Sequence, residues 1–115
     1  MNAQRPSRSI VSEYGAWPLD GLDGKEARLL TVEYGPGVHT APHRHPGWQL
    51  IYVLDGPVIS QMEGEPSREY QTGEFWFEPR EHLHLDAGND DDSNAKILVF
   101  YVTEPGQPVL IPEGR

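Results

Sequence analysis

Twelve glycines and eleven prolines are spread through 115 residues with no single linker gathering them. That density of chain-breaking residues leaves room for short strands and tight turns, not for long helices. No stretch carries a 3.6-residue apolar period over three turns. Candidate strands run over 28–34, 38–45, 49–54, 58–62, 68–72, 74–78, 82–87 and 96–103. Asp55-Gly56 reads as a hairpin turn, because Gly accepts positive φ at little cost. The chain is therefore expected to be all-β, as a barrel or sandwich.

Length fits one domain spanning 1–115, with residues 1–9 expected as a flexible or edge-pairing arm. The arm is polar and lacks the apolar stretch of a signal peptide. No apolar run approaches the ~20 residues of a membrane-spanning helix. Eighteen acidic against nine basic residues give a net charge of −9. Nucleic acid and anionic membrane are poor partners for such a surface, since both require clustered Lys and Arg. The absence of cysteine excludes disulfides and thiolate metal sites, and it suits a cytoplasmic location.

Two candidate strands are apolar on both faces. In 49–54, Ile51 and Val53 lie on one side and Leu50, Tyr52 and Leu54 on the other; 97–102 is apolar throughout. A barrel wall facing water should alternate. A covered outer face is expected, and a homodimer is the preferred cover.

The histidines carry the chemistry. His43/His45 and His82/His84 have i, i+2 spacing, which on a strand puts both side chains on one face about 6.5–7 Å apart. Imidazoles so placed can converge on one ion at about 2.0–2.1 Å. A surface His pair is commonplace, however, so either pair alone carries little weight. The wider spacing carries more. Gly37 is followed by five residues, His43-Arg44-His45, three residues, Gln49, six residues and Gly56. After sixteen more residues come Gly73, five residues, Pro79, four residues and His84.

This pattern resembles the two motifs of the cupin superfamily, G-x5-H-x-H-x3-4-E-x6-G and G-x5-P-x-G-x2-H-x3-N. Three positions depart from it: Gln49 replaces the acid, Glu81 replaces a Gly, and Gly88 occupies the Asn position with Asn89 one later. The resemblance implies a double-stranded β-helix, or jelly-roll barrel. It also implies one divalent metal ion (Fe, Mn, Ni, Co, Cu or Zn) on His43, His45, Gln49 and His84. An amide at position 49 leaves the ion its full +2 charge, which makes it a stronger Lewis acid that attracts an anionic group. A water in place of Gln49 is the alternative.

Other residues take blander readings. His82 is expected at the surface or pocket mouth, and His39 in a structural role. Most aromatics of the motif strands are expected to pack, with Tyr101 a guess at a ligand contact. Glu74 and Glu78 can be bases if they point inward, but strand acids are more often solvated, and neither is assigned. Asp90-Asp91-Asp92 lacks the spacing of a calcium loop.

The resemblance implies a metal-dependent enzyme on a small-molecule substrate, with an oxidoreductase of dioxygenase type narrowly preferred. A non-redox isomerase, cyclase or lyase is the alternative. A non-catalytic binding module stands third, because no segment is visible through which a sensor would signal.

Overall fold

The computed structural model describes residues 8–113. Its strands are β1 (Ile10–Pro18), β2 (Glu26–Tyr34), β3 (His39–Thr40), β4 (His43–Arg44), β5 (Trp48–Asp55), β6 (Val58–Met62), β7 (Arg68–Tyr70), β8 (Phe75–Glu78), β9 (His84–Gly88), β10 (Ala95–Thr103) and β11 (Ile111–Pro112). All pairings are antiparallel. One sheet runs β1-β2-β10-β5-β8 and the other β11-β4-β9-β6-β7, with β3 also on β9. Two facing sheets with crossing connections form the expected jelly roll.

Alternation of side chains builds the core. Ile51 and Val53 of β5 point inward and are buried, as do Ile97, Val99 and Tyr101 of β10. They meet Leu30 and Tyr34 of β2, and Val58 and Ala87 from the opposite sheet. Burying each large aliphatic stabilises the fold by roughly 1.5–3 kcal/mol.

The outer face of the same strands is apolar as well. Trp48, Leu50, Tyr52, Leu54, Phe75, Phe77 and Phe100 are exposed. Among the described residues no segment covers this face, so the double-sided pattern in the sequence is not explained by packing between them.

Three expectations are corrected. The span 38–45 splits into β3 and β4 around Ala41-Pro42, because Pro supplies no N–H to the ladder. Asp55-Gly56 makes no hairpin, since β5 and β6 lie in different sheets. Gly56 sits in a tight place instead: a Cβ would meet Tyr70 O and Val53 Cγ1 at 3.0 Å, so a larger residue would require its neighbours to give by a few tenths of an ångström. Finally, β1 extends the first sheet where no strand was expected. Arg28 anchors it by a two-pronged contact to Glu13, at 3.1 and 2.8 Å. The proposed arm, 1–9, lies mostly outside the described residues.

The departures from the motif have structural answers. Glu81 takes φ 63°, so the left-handed turn that Gly would make is kept by another residue. Asn89 is buried and its Nδ2 donates to carbonyl oxygens of Tyr34, Gly35 and Ser93. The one-residue shift leaves Asn to close the loop after β9.

Candidate metal centre

His43 and His84 are direct cross-strand partners between β4 and β9, and His45 follows β4 by one residue. Opposed residues on an antiparallel pair place their side chains on one face. All three imidazoles are buried, and one ring nitrogen from each lies within 4.8 Å of the others. His43 Nε2 and His45 Nε2 are 3.1 Å apart.

The outer nitrogens are committed. His43 Nδ1 lies 2.7 Å from Ala41 O and His45 Nδ1 2.7 Å from Val109 O. A carbonyl only accepts, so each Nδ1 carries the hydrogen, and in a neutral ring Nε2 then presents a lone pair. Burial keeps the rings neutral. It lowers His43 below the usual histidine range, His45 to about 4 and His84 to about 3. Two lone pairs 3.1 Å apart repel unless an electrophile sits near both. Neutral imidazole is the form that ligates a cation, so this donor set fits a divalent metal.

Other groups complete the surroundings. Ser60 Oγ holds His84 Nε2 at 2.8 Å. Gln49 is buried, and its amide nitrogen sits 3.0 Å from His45 Nδ1. That is the edge of the ring turned towards Val109, not the Nε2 edge shared with His43. Glu78 stands directly opposite Gln49 across the β5–β8 pair. Its carboxyl is 2% exposed and lies 3.5 Å from His45 Nε2 and 3.3 Å from His84 Nδ1. Trp76 Nε1 donates to Glu78 Oε2 at 2.8 Å. Burial pushes Glu78 up to about 7, so ionised and protonated forms coexist near neutrality and the His contacts are not simple ion pairs.

Sequence reasoning left Glu78 unassigned. Its alternation with Phe75 and Phe77 was the available signal, because two outward aromatics put Trp76 and Glu78 on the inner face. The remaining histidines stand apart from the cluster. His82 Nε2 reaches Glu63 O at 3.0 Å, and His39 lies between Asp86 (2.7 Å) and Asp90 (2.5 Å). Tyr101 proves structural: its OH donates to Pro108 O and accepts from Gly47 N.

The cluster opens on a narrow cavity of about 40 Å³ walled by Leu30, Ile51, Ile97 and Val99, with Tyr34, Thr40 and Trp76 on its sides. Ser9, Val11, Val109 and Leu110 also line it. Among the described residues no helix is long and apolar enough to cross a membrane.

Comparison with known proteins gives the family and the fold. Residues 30–101 match the family model for the cupin domain. The chain belongs to the cupin family. It is 28% identical over 107 residues to dimethylsulfoniopropionate lyase DddQ of Ruegeria pomeroyi, covering 92% of this chain and 50% of that protein. The chain thus spans about half the length of this curated relative. The crystal structure of DMSP lyase DddQ from the same organism superposes with a TM-score of 0.66 at 25% identity, over 77% of this chain and 45% of that one. A recombinant oxalate oxidase in complex with glycolate gives a TM-score of 0.71 at 22% identity, over 97% and 58%. That last likeness speaks to the fold alone.

Proposed function

We propose that the chain is a metal-dependent enzyme acting on a small oxygenated organic molecule, and that its reaction is a non-redox elimination beside a carboxylate or carbonyl. The observation that carries this reading is the buried meeting of His43, His45 and His84 with two Nε2 lone pairs turned on one another. A divalent ion bound there supplies Lewis acidity to a carbonyl or carboxylate oxygen. The lyase named among the relatives, aligned over most of this chain, favours elimination over oxidation.

The protein's own residues do the rest. Apolar walls exclude water from the reacting carbon. Tyr34 is buried with its pKa raised, so its phenol stays protonated and serves as a donor. The cavity is small. A substrate must be compact, or the segments carrying Val11 and Val109 must part to admit it.

A second reading, a dioxygenase-type oxidoreductase, is supported by the three-His set, which suits redox metals equally. A binding module without turnover is the third. Bound metal measured by elemental analysis, then turnover of small carboxylates, phenols, diketones and uronates under nitrogen and under oxygen, separates them. Turnover under nitrogen supports elimination. Stoichiometric oxygen uptake overturns it for the second reading, and saturable binding without turnover leaves the third.

We also propose that a second copy covers the apolar outer face of β5, β8 and β10. Seven exposed large side chains on one sheet face support this. The cysteine-free composition supports a cytoplasmic setting.

A further inference from the structure

We propose that Glu78, and not Gln49, supplies the fourth protein ligand to the cation held by His43, His45 and His84. This rests on the metal-centre reading above and assigns to it a residue at a non-specified position of the second motif, directly before Pro79.

Two buried polar side-chain atoms at the centre of the molecule have no hydrogen-bond partner: Glu78 Oε1 and His84 Nδ1. Both residues line the cavity at the histidine cluster. Glu78 Oε1 is 3.5 Å from His45 Nε2, and Oε2 is 3.3 Å from His84 Nδ1. The Nε2 atoms of His43 and His45 are 3.1 Å apart. Ligands bonded to one ion at 2.0–2.2 Å, with angles between square and tetrahedral, stand about 2.8–3.6 Å from one another. The three separations all fall in that window. A buried polar atom without a partner needs an explanation, and an ion accounts for both at once.

Gln49 is turned the other way. Its amide group lies 3.0 Å from His45 Nδ1, whose hydrogen is already given to Val109 O, so this is a contact and not a hydrogen bond from the amide N–H. It therefore lies against the edge of the ring that Val109 O already fixes. Register explains the exchange. Gln49 and Glu78 are Cα partners on adjacent strands, so an acid lost from one is available one strand away at the same height. A carboxylate there also reduces the formal charge of the loaded centre from +2 to +1. The Trp76 indole N–H, bonded to Oε2, orients the carboxyl as outer-shell partners of ligands do.

The test is metal binding by the chelator-stripped full chain, titrated calorimetrically with Mn²⁺, Ni²⁺ and Zn²⁺. Visible absorption of the Co²⁺ form adds a readout of coordination. Glu78→Gln is expected to weaken binding at least about tenfold and to change the Co²⁺ spectrum, while Gln49→Ala loses less affinity and leaves the Co²⁺ spectrum unchanged. Glu78→Asp is expected to recover part of the affinity. Circular dichroism and thermal unfolding of each apo variant confirm folding, with Glu78→Asp as the second variant should Glu78→Gln misfold. Glu78→Gln that binds like wild type with an unchanged Co²⁺ spectrum overturns the proposal, as does an equal or larger loss in Gln49→Ala. Failure of the wild-type chain to bind any of these ions overturns the metal-centre reading itself. So does a His84→Ala variant that binds as tightly as wild type.

Discussion

His43 and His45 present their Nε2 atoms to each other across 3.1 Å, while each fixes its Nδ1 hydrogen on a backbone carbonyl, of Ala41 and Val109 respectively. The arrangement is costly without an electrophile, so binding an ion should stabilise the fold. A ligand at 100 times its Kd contributes about 2.7 kcal/mol. Saturating metal is expected to raise the unfolding temperature of wild type by several degrees and that of His43→Ala by none, read by differential scanning fluorimetry.

Ser60 is the outer partner of His84, bonded to Nε2 at 2.8 Å and leaving Nδ1 unpaired. Ser60→Ala removes that bond without touching the ring. Metal affinity is expected to fall about 10–100-fold, the usual effect of losing an outer partner, measured by competition with a chromogenic chelator.

His39 offers a pH test at a histidine outside the cluster. Hydrogen bonds to Asp86 and then to Asp90 raise its pKa above the ordinary histidine value. A raised folded pKa means the pair contributes fully below the unfolded value near 6.5 and fades as pH rises through the folded value. His39→Gln is therefore expected to lose stability against wild type at pH 5.5, by less than about 1 kcal/mol given the exposure of the pair. At pH 9 the gap should close. A gap that widens with pH contradicts the assignment, and urea unfolding at the two pH values decides.

Glu81 holds a left-handed backbone at φ 63°, and its structural bonds are made by its main chain: its N–H donates to His45 O and its O accepts from Arg44. Glu81→Gly keeps both and relieves about 1–2 kcal/mol of strain, offset by about 0.5–1 kcal/mol of chain entropy. The melting temperature should stay level or rise slightly. Gly73→Ala, at φ 91°, should lower it.

The outer sheet face offers a separate test. Phe75 is 70% exposed and Leu50 53%, so neither supports the core. Leu50→Glu with Phe75→Glu is expected to convert a dimer to a monomer by light scattering while metal stoichiometry is unchanged. A wild-type chain that is monomeric at micromolar concentration refutes the proposed cover.

What could be read from the sequence depended on how local each signal was. His43, His45 and His84 were legible because the spacing of the whole segment resembles the two cupin motifs, and Ile51 and Val53 because parity carries them inward. β1 was not, since Gly15 and Ala16 interrupt the alternation and most of its residues stay exposed. Glu78 was missed because its neighbours are chosen by strand pairing across β5, β8 and β9, and the prior for a strand acid is solvation. The orientation of Gln49 was hidden for a related reason: the carbonyl that fixes His45 comes from Val109, 64 positions on.

That last contact reaches further than packing. The segment after β10 determines which nitrogen of His45 carries the proton, and Tyr101 clamps its base by linking Pro108 O to Gly47 N. A chain cut after Thr103 would keep every paired strand but β11, yet His45 would be free to exchange tautomers and present N–H where a lone pair is wanted. The tail is thus a remote latch on donor chemistry, and its loss would show first as slack metal binding in a barrel that still melts as one piece.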